Sequence, residues 1–198
     1  MIRIINLFFI IFFLLSSKAY SLIEIDITRG NLDPLPIAVS PLYQDDNSKR
    51  NSFNELKIEN VGSEISLVVE NNLKISGLFN PLSKEAFLQK PDIAHLKPRF
   101  EDWALIKAQA LITGKVIIEN KKLKVEFRLW DILAGREMMA LAFTTVPSNW
   151  RRVGHIISDK VYERLTGEKG YFDTRIIYVA EEGPKTQRIK KLAIMDQD

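Results

Sequence analysis

Residues 123–145, LKVEFRLWDILAGREMMALAFTT, decide the fold, because they show the clearest periodicity in the chain. Leu123, Val125, Phe127 and Leu129 alternate with Lys122, Lys124, Glu126 and Arg128. A period of two puts one face of a strand in a core and the other in water. Residues 131–135 end in Gly135, which tolerates positive φ, and a second arm follows with Met139, Leu141 and Phe143 on one face. The stretch is therefore predicted to be a β-hairpin. A hairpin alone buries too little, so further strands and a cover are required. Residues 110–119, rich in Ile and Val and joined through Asn120 and Lys121, supply a third strand.

A helix is predicted next, from Asn149 to Thr166, with Ser148 as N-cap after Pro147 and Gly167 as the stop. Its stripe of Trp150, Val153, Ile157, Val161 and Leu165 recurs at three or four residues and would lie on the sheet. A second covering helix is predicted from Ser63 to Ser76, with Ser63 as cap, Ile65, Val68, Val69 and Leu73 inward, and Gly77 after it. The short apolar runs at Ile37–Val39 and Leu78–Leu82 read as strands, and Phe100–Ile106 as a brief helix. The polar run from Gln44 to Asn51 reads as a solvated loop. The expected class is α/β, in the two-layer α+β sense: a mixed sheet covered by two main helices.

The stretch WRRVGHIISDKVYERLTGEKGYFDTRIIYVAEEGPKTQRIKKLAIMDQD (150–198), with VEFRLWDILAGRE (125–137) before it, closely resembles the TolB family, periplasmic components of the Tol-Pal envelope system. The resemblance implies an α/β amino-terminal domain over residues 22–170 and the first strands of a β-propeller over residues 171–198. Two strand signals in that last part, Arg175 to Ala180 and Arg188 to Met195, flank Gly183-Pro184. A blade takes four strands and a propeller several blades of about 40 residues each, so these two strands would be a blade fragment. The expectation is a truncated product or an excised portion, with Ile189, Leu192 and Ile194 left exposed.

Residues 1–21 read as a secretory signal: Arg3 supplies the charge, Ile4 to Leu15 the apolar region, and Ala19-Tyr20-Ser21 the cleavage pattern before Leu22. That apolar run falls well short of the roughly 20 residues that span a bilayer. The chain has 28 basic and 25 acidic residues. Cleavage removes Arg3 and Lys18 and no acid, leaving a net charge of +1 on 177 residues, so neither nucleic acid nor an anionic membrane is favoured as partner. There is no cysteine, which excludes disulfides, thiol nucleophiles and a lipid-attachment cysteine. The expectation is a protein free of any membrane segment after cleavage and located in the periplasm.

No P-loop, dinucleotide fingerprint or Gly-x-Ser-x-Gly motif occurs. His155 and Asp159 sit four apart on the polar side of their helix and read as a solvated pair. His95 reads as a surface residue between prolines, and residues 167–170, GEKG, as a helix stop and turn. Trp103 and Trp150 are expected to pack helices on the sheet. Trp130 falls on the charged face of its strand and, if exposed, would mark a contact surface. Neither an enzyme nor a cofactor or metal site is indicated.

The segment Leu22, Ile23, Glu24, Ile25, Asp26, Ile27 alternates apolar and acidic side chains, which suits a strand of the chain's own domain or one added to another protein's sheet edge. The family resemblance implies the second, with the inner-membrane protein TolA as the partner. It further implies a link from TolA to the lipoprotein Pal, roles in outer-membrane integrity and cell division, and use by bacteriocins for entry. The family's Pal contact lies mainly on the propeller, of which little is present, so TolA rather than Pal is the partner expected of this chain. A small exported ligand-binding or hydrolytic domain remains the alternative.

Overall fold

The structure is a computed structural model that describes Ile23, Ile25 and residues 33–196. The signal-peptide reading of residues 1–21 therefore lies outside the described residues. Among the described residues, five helices and eight strands follow in the order β1 (Leu35–Val39), β2 (Tyr43–Gln44), α1 (Asp46–Leu56), α2 (Val61–Ile75), β3 (Phe79–Pro81), α3 (Pro91–Ala94), α4 (Phe100–Leu105), β4 (Ala110–Glu119), β5 (Lys122–Asp131), β6 (Arg136–Thr145), α5 (Trp150–Thr166), β7 (Arg175–Glu182) and β8 (Ile189–Asp196).

The predicted three-stranded meander is present and forms one side of a mixed sheet ordered β3-β1-β4-β5-β6, with β2 also paired to β4. Asn120 and Lys121 both take positive φ, at 52° and 58°, the signature of a two-residue hairpin turn whose twist matches its strands. β4 and β5 then pair without a break from Glu119 and Lys122 to Ala110 and Asp131. β1 runs parallel to both β3 and β4, and β2 continues the same side of β4 after an interruption at Ser40 and Pro41. A proline cannot donate to the ladder, which accounts for that break.

Gly114 sits where this broken edge meets the hairpin. A Cβ there would lie 2.1 Å from the Glu126 carbonyl oxygen and 2.9 Å from Phe127 Cα, both backbone atoms that cannot swing aside. Gly114→Ala is therefore expected to destabilise the domain by about 1–3 kcal/mol, measured by urea denaturation. A loss below about 0.5 kcal/mol, the range of ordinary surface changes, would show that the strands can part at little expense.

The main core lies between this sheet and helices α2 and α5. Ile65, Val69 and Leu73 from α2 and Val153, Ile157, Val161 and Leu165 from α5 meet Ile112, Val125, Phe127 and Leu129, all almost fully buried. Both predicted inward stripes are found, and the mixed sheet with two covering helices is the architecture expected. Their caps differ from expectation. Asn60, not Ser63, caps α2 by accepting the Ser63 N–H at 3.0 Å. A single 3-10 turn, Pro147–Asn149, leads into α5, so Ser148 lies inside that turn and Asn149 occupies the cap position. Gly167 ends α5 with φ 76°, as predicted.

Two elements differ from the sequence reading. The expected loop at Gln44–Asn51 is mostly helix α1, capped by Asp45, which accepts the Ser48 N–H at 2.7 Å. It docks through polar groups: Ser48 Oγ accepts the Ile118 N–H at 3.2 Å, and Asn51 Nδ2 donates to the Ile118 carbonyl at 2.8 Å. In addition, the other face of the sheet carries a small second core of Ala38, Ala94, Trp103, Ala108, Leu111 and Ile132, under α3 and α4. The expected terminal hairpin is a separate two-stranded sheet, β7 with β8, and Ile189, Leu192 and Ile194 are exposed on it.

Candidate partner-binding site

The segment singled out by its alternation is described at two positions, Ile23 and Ile25; Leu22, Glu24, Asp26 and Ile27 lie outside the described residues. Both isoleucines are half-buried and pack on the main core. Residues two apart share a face of an extended chain, so their common contact fits the alternation. The Ile25 N–H donates to the Leu165 carbonyl at 2.7 Å. Leu165 is in the last turn of α5, where carbonyls lack partners within the helix, and the terminal segment supplies one.

This attachment is energetically shallow. Fully burying an isoleucine contributes about 1.5–3 kcal/mol, so two half-buried ones contribute roughly that much together. One net hydrogen bond adds about 1 kcal/mol. Fixing the backbone of the two described residues costs about 2–4 kcal/mol. The terms nearly cancel, so the docked segment can be exchanged for another partner at small expense.

The turn after α5 is held to the helix by one carboxylate. Asp159 accepts the N–H groups of Phe172 at 2.7 Å and Asp173 at 3.2 Å, and a Cβ at Gly170 would fall 2.4 Å from Asp159 Cα. Residues 167–170 are thus a stop and turn, as read from sequence. Tyr162 packs among Phe79, Tyr171 and Phe172. Burial, with Tyr171 and Glu168 nearby, raises its phenol above the ordinary tyrosine range.

The solvated His155–Asp159 pair is corrected. His155 is buried against α2, with Nδ1 2.9 Å from Asn72 Nδ2, while Asp159 serves the following turn. Sequence spacing put His155 off the sheet-facing stripe correctly but could not show that α2 covers that flank. His95 is likewise not a bare surface residue: its ring stacks on Tyr43 at 4.5 Å, and Nδ1 donates to the Pro91 carbonyl at 3.0 Å. Trp103 is buried and donates to Gln89, as a packing residue. Trp130 is half-buried, edge-on to Phe100 at 5.9 Å, and donates to Thr113 Oγ1 at 2.9 Å, which removes it as a contact surface. The residue missed is Leu165, whose role as a carbonyl acceptor has no side-chain signal.

Among the described residues no helix is long and apolar enough to cross a membrane, and no group of three His, Asp or Glu side chains is placed to hold a metal.

Residues 23–138 match the family described as the TolB amino-terminal domain. The Tol-Pal system protein TolB of Pelagibacter ubique (strain HTCC1062) is 77% identical over 190 residues, covering 96% of this chain and 43% of that relative. The chain thus spans less than half the length of the curated relative it matches. The crystal structure of TolB from Acinetobacter baumannii resembles it with a TM-score of 0.64 at 23% identity, over 83% of this chain and 37% of that one. At that identity the likeness shows the fold alone.

Proposed function

The chain belongs to the TolB family, through that family's amino-terminal domain, and from that membership we propose that it is a periplasmic, non-enzymatic interaction component that binds TolA through Leu22–Ile27. In this reading residues 1–21 are the export signal, 22–170 the interaction domain and 171–198 the start of the propeller. The wider role is the link from TolA to Pal that supports outer-membrane integrity and cell division, with the Pal contact carried mainly by the propeller.

One observation supports the TolA proposal: the terminal segment is held by half-buried Ile23 and Ile25 and by a single described backbone bond to Leu165. A segment so held can leave its own domain and add as a strand to another sheet, where backbone hydrogen bonds give affinity. Ile23, Ile25 and Ile27 would fill one side, and Glu24 and Asp26 the other. Nothing in the separate structural roles of His155 and Asp159 favours the ligand-binding or hydrolytic alternative.

The test is calorimetric titration of TolA into the chain starting at Leu22 and into a version starting at Gly30, with circular dichroism confirming that both are folded. Modest affinity for the first and its loss in the second is the expected result. Equal affinity would remove Leu22–Ile27 as the site.

A further inference from the structure

The hairpin turn at Asn120 and Lys121 determines which backbone groups of β6 are free. Residues flanking a two-residue turn exchange both hydrogen bonds, so Glu119 and Lys122 form such a pair, and the alternation then runs up the ladder. Lys124, Glu126 and Arg128 aim their N–H and carbonyl groups at β4; Val125, Phe127 and Leu129 aim theirs at β6, where they meet Phe143, Leu141 and Met139. Ala140, Ala142 and Thr144 must therefore point their backbone groups away from the sheet. Met138, beside the register shift, agrees: its carbonyl accepts from Arg164 Nε at 3.5 Å.

β6 is thus a ten-residue edge strand with no proline or lysine in it, and no second described strand beyond it. Long edges of this kind template the pairing of another chain. Its side chains on the face away from α5 are Ala140, Ala142 and Thr144, all exposed. A groove of about 450 Å³ lies over the two alanines, walled by His95, Leu96 and Arg128. Small residues there leave long neighbouring side chains room to reach past β6.

Those neighbours are basic. Lys124 and Arg128 on β5 and Lys115 on β4 line the alanine side, against Glu126 and Glu137, and Arg164 reaches the edge from α5. Lys124 and Lys115 flank Glu126 and hold its carboxyl below the usual range, and Glu137 pairs with Arg128, so three bases share two acids and one positive charge is left in excess. A second copy joined edge to edge would bring two such positive frames together, and like charges across an interface oppose pairing.

We propose that the β6 edge docks an extended segment of a partner protein in which acidic side chains alternate with small apolar ones. The partner's backbone bonds to Ala140, Ala142 and Thr144; its acidic side chains lie over the alanine shelf within reach of Lys124 and Arg128; its apolar ones continue the Leu141–Phe143 face. This site is separate from the terminal segment, so each can fail without the other.

Fluorescence anisotropy with a labelled octapeptide alternating glutamate and valine, titrated into the full chain, tests it against a lysine–valine counterpart. The glutamate peptide should bind, more weakly as salt rises, and the lysine peptide should not. Ala142→Pro removes one outward N–H at an edge position that tolerates proline, and should weaken binding about tenfold. Should that variant fail to fold, Ala142→Glu decides, since it keeps the edge backbone and should weaken binding at low salt. Four results overturn the proposal: equal binding of both peptides, an Ala142→Pro variant that is folded and binds normally, a chain dimer in sedimentation that Ala142→Pro abolishes, or peptide binding seen only after residues 22–29 are removed.

Discussion

Ile157→Ala is expected to lower the stability of the domain by about 2–5 kcal/mol, read from urea denaturation followed by circular dichroism. Ile157 is 1% exposed and sits midway along the inward stripe of α5, between Val153 and Val161. One turn before it, Gly154 approaches α2 so closely that a Cβ would fall 2.8 Å from Val68 Cγ1. The two helices are held at contact distance there and cannot collapse into a cavity left by the missing side-chain atoms, which places the effect away from the low end of that range. Glu163→Ala on the same helix gives the contrast: Glu163 is exposed, and its pair with Lys160 is a surface one, so the loss should stay within about 0.5 kcal/mol. Similar losses for both substitutions would mean that α5 is not the cover of the sheet.

What could be read from the sequence follows from how each element is held. β4, β5 and α5 bury apolar faces at regular spacing, and that spacing is itself the signal; their bounds were read to within a residue or two. α1 has no such face. Its inward residues are Ser48 and Ser52, and it is fixed by hydrogen bonds from Ser48 and Asn51 to one residue of β4, so a polar run gave the appearance of a loop. The caps were misplaced for a related reason: Asn60 and Ser63 are both good cap residues, and only the chain's path decides which one precedes the first turn. The alternation of the terminal segment was legible, and its two described residues, Ile23 and Ile25, both pack on the main core. Its hold on Leu165 is a backbone contact between residues 140 apart, which no local pattern encodes.

The burial of His155 had no signal in the sequence, and it carries the second large effect. Asn72→Ala is expected to cost about 2–4 kcal/mol, because one amide group satisfies two others in the interface between α2 and α5. Asn72 Nδ2 donates to His155 Nδ1 at 2.9 Å and to Ser158 Oγ at 3.0 Å, and Ser158 in turn donates to the Gly154 carbonyl at 2.9 Å. An amide nitrogen can only donate, so the facing imidazole nitrogen is the acceptor of this bond. Alanine at 72 strips that acceptor of its donor at a site only 4–5% exposed, and also leaves space where the amide was. Ser158 retains Gly154 as a partner, so the loss there is smaller than at His155. A double-mutant cycle with Ser158→Ala separates the two contributions, and a coupling of about 0.5–3 kcal/mol is expected for residues sharing one network. Were Asn72→Ala to cost under about 0.5 kcal/mol with no coupling to Ser158→Ala, the contact between α2 and α5 would be apolar packing alone, with the buried polar cluster adding nothing to it.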